Sequence, residues 1–135
     1  MISILTFDSS LHFYNLRPGL AQPQMLAVGE IDEPFVPLPD DLLVNIGESR
    51  AQVDALLDSL PTTFANNSCI DSATGPALQA AFMLVGHIGA KMVLFQSAAP
   101  SLGIGKIKPT REIAKNYNTD LEYAVRNPED QFYKR

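Results

Sequence analysis

The sequence predicts an α/β fold: a mostly parallel sheet layered with two main helices and preceded by an N-terminal β-hairpin. Three observations predict it. Residues 2–16 are rich in β-formers and alternate as paired strands do. Residues 49–82 carry two helical patterns joined by a loop. Met92-Val93-Leu94-Phe95 is a continuous apolar run, the pattern of a strand buried on both faces of a parallel sheet.

The elements follow in order. Ile2 to Phe7 reads as a strand, and Asp8-Ser9-Ser10 is turn chemistry. Leu11 to Leu16 then alternates, with Leu11 and Phe13 on one face and His12 and Tyr14 on the other, so the two segments form a hairpin. Arg17-Pro18-Gly19 closes it, and Pro23 to Val28 is a third strand. Residues 29–41 hold Pro34, Pro37 and Pro39, a density that no helix interior or central strand tolerates, so this is a surface loop. Leu42 to Ile46 follows as a short strand or extended segment. Ser49 is an N-cap with Gln52 at the capping-box position, and Val53, Leu56, Leu57 and Leu60 make one buried stripe ended by Pro61. The second helix opens at Asp71 to Pro76 and is apolar nearly all round through Val85, which suits packing on more than one side. Gly86-His87-Ile88-Gly89 stops it before the strand Lys91 to Phe95. Pro109 to Arg135 is polar, with one short helix near Leu121 to Arg126.

Composition narrows the function. The chain has 135 residues, enough for one domain or part of one, and its 46% hydrophobic content suits a packed core. A net charge of -5 argues against nucleic acid, which needs an excess of Lys and Arg on one face. Cys69 is the only cysteine, so it forms no internal disulfide and no zinc site, and a reducing compartment fits. Asn66-Asn67-Ser68 is a glycosylation sequon that matters only in a secretory lumen. No targeting segment is expected, since Met1 leads directly into a strand. The most apolar window, Pro76 to Phe95, is interrupted by Gln79, Gly86, His87 and Lys91, so no membrane span is expected.

Each constellation that imitates a reactive site has a simpler reading. Gly47-Glu48-Ser49-Arg50-Ala51 sits before a helix as a nucleophile elbow does, with His87 downstream, but Ala51 replaces the last glycine and no oxyanion-loop glycines precede it. A helix-capping Ser49 needs no further assumption. Gly103-Ile104-Gly105-Lys106 has the wrong spacing for a phosphate loop and Ile107 follows the lysine. His12 and His87 have no acidic or cysteine partner at ligand spacing: His12 is a strand-face residue, and His87 sits favourably at a helix C-terminus. Asp32, Glu33, Asp40 and Asp41 lie in the proline-rich loop and read as a solvated or partner-facing surface. Lys106, Lys108, Arg111 and Lys115 form the only basic run, a solvated loop first and an anionic-bilayer contact second. No catalytic, cofactor-binding or metal residue is therefore assigned.

A longer pattern spans the chain. Phe7 to Leu16, Gln22-Pro23-Gln24-Met25, Leu38 to Asn45, Leu56 to Pro61 and Gly75 to Phe82 occur in an order that resembles the trunk domain of the COPII coat cargo-adaptor family, the Sec-twenty-four type. Phe95-Gln96, Pro100 to Gly103, Pro128-Glu129-Asp130 and Phe132-Tyr133-Lys134 continue the resemblance.

The resemblance implies a partial von Willebrand A-like (Rossmann-like) domain, without the first central strand and the later strands. That strand would lie between Ile2–Phe7 and Lys91–Phe95, so both edges lack partners: either the two strands pair directly or the chain alone is marginal, and it is expected to be poorly stable. Domains of this type hold a divalent ion with an Asp-x-Ser-x-Ser loop, a Thr and an Asp. Here the first loop is absent, Ser72 or Thr74 occupies the second, and Gln96-Ser97-Ala98 replaces the acidic third, a poor set for Mg²⁺. The resemblance also implies a cytoplasmic, non-catalytic role peripheral to the ER membrane. Its partners would be the sister coat subunit of the Sec-twenty-three type and membrane cargo proteins. A generic A-like interaction module, a non-functional truncated paralogue and a serine hydrolase using Ser49 stand as alternatives.

Overall fold

The computed structural model describes residues 1–107, 118–120, 122 and 130–134. Its framework is a three-stranded antiparallel sheet in the order β1 (Leu5–Phe7), β2 (Leu11–Asn15), β3 (Gln24–Val28). The Asp8 carboxylate accepts from Ser10 N–H at 2.9 Å, and Asp8 N–H donates to Ser10 O at 3.0 Å, which closes the β1–β2 turn. The register pairs Leu5 with Phe13, Phe7 with Leu11, Tyr14 with Met25 and Leu11 with Val28. Strand alternation then sorts the side chains onto two faces.

Both faces of β2 are covered, and all five of its residues are buried. Leu11, Phe13 and Val28 pack with Ala73, Ala77, Ala80 and Leu84, so α3 (Thr74–Val85) lies on one face. Tyr14, Leu16 and Val44 pack with Val53 and Leu56, so α2 (Arg50–Thr63) lies on the other. The alternation read from the sequence is therefore the device that seats one helix on each side of a small sheet. A short α1 (Pro39–Leu42) places Leu42 in the α3-side core, and a 3-10 turn covers Gln131–Tyr133.

Several local expectations are corrected. The sheet is antiparallel throughout, and no parallel pair forms among the described residues. Residues 91–96 are not a strand; Val93 is 74% and Phe95 89% exposed. A strand needs a ladder partner, and β1 does not pair with this segment. The short strand or extended segment expected at 42–46 begins instead as the end of α1, and Val44 then forms one bridge to Ile2, with N···O distances of 2.8 and 3.0 Å. Pro61 does not end α2; it is carried inside the last turn, which Phe64 N–H closes by donating to Leu60 O at 3.1 Å. A proline lacks only its own N–H, so the turn's other bonds persist.

Two faces also differ from their sequence patterns. Leu57 points outward while Val53 and Leu56 are buried, which narrows the α2 stripe. α3 buries Thr74, Gly75, Pro76, Ala77, Ala80 and Leu84, yet exposes Phe82 and Met83, so it is packed on one side rather than all round. The helix expected near Leu121 to Arg126 lies outside the described residues except for Glu122.

Candidate functional site

The loop leading into α3 and the segment after it converge on one polar cluster. Asp71 to Ala73 end the connection from α2, and Thr74 starts the helix. The buried Ser72 and Thr74 hydroxyl oxygens lie 2.8 Å apart. Gln96 Nε2 donates to Thr74 Oγ1 at 3.0 Å and to Ala98 O at 2.7 Å. The Ala98 carbonyl can only accept, which fixes the Gln96 amide with its N–H₂ toward Thr74.

A second strand of bonds ties residues 100–105 over the same helix end. Ser72 N–H donates to Ser101 Oγ at 2.9 Å, and Ser101 Oγ donates to Asp71 Oδ1 at 3.0 Å. Ser101 and Leu102 N–H both donate to Ser72 O. The Ile104 carbonyl lies where a side chain on Gly75 would begin, so only glycine admits this close approach. Gly103 has φ +68° and stacks on Pro76, while Gly105 has φ +73° beneath Phe132 and Tyr133. Tyr133 OH donates to Gly105 O at 2.9 Å, and burial, followed by the nearby Asp130 charge, raises its pKa. The glycines of the phosphate-loop lookalike are thus packing glycines.

This cluster offers two neutral hydroxyls and an amide donor. A divalent cation needs several oxygen acceptors, and the Gln96 N–H₂ presents hydrogen atoms instead. The one carboxylate of the loop, Asp71, is engaged with Ser101. Among the described residues no group of three His, Cys, Asp or Glu side chains stands together for a metal.

The other sequence candidates are dispersed. Ser49 stands at the α2 cap position, but its side chain makes no capping bond and its buried Oγ has no partner. Gln52 does not complete a capping box; its Nε2 donates to Leu20 O at 2.7 Å, tying the loop before β3 to α2. His87 is exposed in the turn after α3. Asp41 pairs with Arg17 at 3.0 Å, and Asp32, Glu33 and Asp40 are exposed. Lys106 is exposed; Lys108, Arg111 and Lys115 lie outside the described residues. Asn67 of the sequon donates to Asp8 Oδ2 at 2.9 Å, and Cys69 is free and exposed.

Sequence reasoning missed the partner of His12. Asp8 Oδ1 lies 3.8 Å from His12 Nε2, because the turn folds residues four apart onto the same edge. The i,i+4 spacing across Asp8-Ser9-Ser10 was the available signal. Burial raises the Asp8 pKa, but hydrogen bonds from Ser10 and Asn67 and the His12 ring outweigh it and leave it lowered. Burial raises the Tyr14 pKa against the opposing Thr6 hydrogen bond.

The described residues also expose apolar surface. Phe82 and Met83 of α3 are exposed, as are Met92, Val93, Leu94 and Phe95 in the extended segment. Gln96 pins the end of that segment to the start of α3. A shallow groove of about 430 Å³ lies between β3 and α2, lined by Tyr14, Met25, Leu56 and Leu60 among others. No helix among the described residues is long and apolar enough to cross a membrane.

Comparison with known proteins decides the family. The family model of the Sec23/Sec24 trunk domain matches residues 1–135. The chain belongs to the Sec23/Sec24 trunk-domain family. It is 54% identical over 134 residues to protein transport protein SEC24 A of Arabidopsis thaliana, covering 99% of this chain and 13% of that protein. It is 46% identical to Sec24A of Mus musculus over 134 residues, covering 99% and 12% of the two. The crystal structure of the human COPII-coat protein Sec24c superimposes with a TM-score of 0.79 at 33% identity, covering 98% of this chain and 18% of that one. The trunk-domain chain thus spans only about an eighth of the length of the curated relatives it matches.

Proposed function

We propose that this chain is a non-catalytic piece of a COPII cargo-adaptor trunk, acting by protein–protein contact in ER-to-Golgi transport. The observation that carries the reading is the ordered similarity to Sec24 proteins along the whole chain. The absence of a convergent reactive cluster around Ser49 or Thr74 among the described residues supports a binding role over catalysis. By its family, the chain pairs with a sister coat subunit of the Sec23 type and helps to select membrane cargo. It works on the cytoplasmic side of the ER membrane as a peripheral protein.

The finer fold reading belongs to the same proposal. The chain is a partial von Willebrand A-like domain that lacks the first central strand and the later strands. In the complete trunk, residues 92–95 become a strand by parallel pairing with that central strand, which also covers the outer edge of β1. The exposure of Val93 and Phe95, and the position of β1 at an edge of the sheet formed by the described residues, support this.

Co-purification tests the proposal. The trunk containing this chain, co-expressed with a tagged sister subunit, is expected to elute with it as one complex. Elution of the two as separate species overturns the coat assignment. The same preparation is expected to remain unlabelled by a fluorophosphonate probe; labelling lost on Ser49→Ala overturns the non-catalytic reading.

A further inference from the structure

A line of side-chain hydrogen bonds crosses the α2 face of the sheet from Asp8 to Tyr14. Asp8 Oδ1 accepts from Ser10 Oγ at 3.1 Å. Ser10 Oγ lies 3.0 Å from His12 Nε2, and His12 Nδ1 lies 3.2 Å from Thr6 Oγ1. Thr6 Oγ1 lies 2.8 Å from Tyr14 OH. The order of the protons follows from one end. A carboxylate only accepts, and the Ser10 hydroxyl has one proton to give. Were that proton turned elsewhere, two oxygens would face each other with nothing between them. Ser10 Oγ therefore accepts from His12, which places the ring proton on Nε2. A neutral imidazole carries one N–H, so Nδ1 accepts from Thr6, and Thr6 Oγ1 accepts from Tyr14.

We propose that this one-way chain, ordered from the Asp8 carboxylate, locks His12 in its Nε2–H tautomer and fixes the hydroxyl directions of Thr6 and Tyr14. The lock sits where the fold is tied together. Asp8 also accepts from Asn67 Nδ2 at 2.9 Å and, through its backbone carbonyl, from Ala73 N–H at 2.8 Å. The Phe64 ring, at the end of α2, lies 5.5 Å from the His12 ring. One residue thus orders the hydroxyls on the sheet through its carboxylate and holds both ends of the α2–α3 connection, Asn67 by the carboxylate and Ala73 by the backbone carbonyl. The tautomer of His12 becomes a reporter of whether that connection is docked. Among the described residues Asp8 is the charged side chain that lies against the ring, and Phe64, which follows α2, packs on it.

Long-range ¹⁵N–¹H correlation spectra of the ¹⁵N-histidine-labelled chain near neutral pH test this. Only His12 and His87 contribute, and the exposed His87 is the internal comparison. Slow amide exchange in β2 certifies the folded population. His12 is expected as a single Nε2–H tautomer, unchanged in Tyr14→Phe because the order is set from the other end. Asp8→Asn is expected to admit the Nδ1–H tautomer, because an amide can donate to Ser10 as well as accept. Ser10→Ala cuts the same link while sparing the bonds from Asp8 to Asn67 and Ala73, so it serves if Asp8→Asn does not fold. A mixed tautomer in the unmodified chain overturns the proposal. So does an Nε2–H form that survives in every folded variant of this pair.

Discussion

Gly75 shows how much one missing side chain decides. Its Cα faces the Ile104 carbonyl so closely that an added methyl would overlap it. Gly75→Ala must push the 100–105 strap off the α3 terminus, and overpacking of this kind costs about 1–3 kcal/mol. Thermal melts of the trunk are expected to show the loss, and an unchanged Tm would contradict the close approach. Asp8 gives a second prediction, in pH. Its folded pKa is lowered, so its bonds contribute stability that is complete above the ordinary carboxylate value of about 3.9. That contribution disappears as pH falls through the lower, folded value. The stability of Asp8→Asn is therefore expected to converge on the parent's in strong acid and to fall short of it near neutrality. These residue-scale features were only partly legible. A turn at Asp8 to Ser10 was evident from residue type. The bond from Gln52 to Leu20 was not, because an amide suited to a local cap was taken by a partner 32 residues away.

At the scale of elements, β2 is the keystone. Leu11 and Phe13 face α3, while Tyr14, and Leu16 just past the strand's end, pack with α2, so a single five-residue strand joins two cores. Phe13→Ala is expected to cost about 3–5 kcal/mol, as large-to-small changes of a buried aromatic do. Leu57→Ala on the exposed side of α2 is expected to cost far less. Chemical denaturation of both variants in the complete trunk checks the contrast. The hairpin was legible because strand alternation is local, and α2 and α3 were legible because helical periodicity is local. The segment 91–95 differs from its sequence pattern for the opposite reason. A run of apolar residues states a preference for burial, but its ladder partner must come from elsewhere in the sequence. The short α1 is hidden in the sequence because Pro39 belongs to a proline-dense stretch that argues against helix, although proline is acceptable in a first helical turn.

At the scale of the whole molecule, the chain is a small layered unit with an uncovered apolar segment. The clusters on either side of β2 provide a core, yet Met92 to Phe95 and the α3 residues Phe82 and Met83 remain in water. Exposed apolar groups of this kind forgo the stabilisation of burial, about 25 cal/mol per Å². The isolated chain is therefore expected to melt broadly and at low temperature, and the complete trunk sharply. Ser72, Thr74 and Gln96, the residues that the family resemblance puts at the loops of an ion pocket, do meet. What the sequence could not convey was the direction of the Gln96 amide, which is set by the bend at residues 97–98 that turns the Ala98 carbonyl back toward it. The most direct measurement of this account is amide hydrogen exchange at residues 92–95, in the chain alone and within the complete trunk. Rapid exchange in the first and strong protection in the second is the predicted result. Equal exchange in both would mean that no outside strand ever covers this segment.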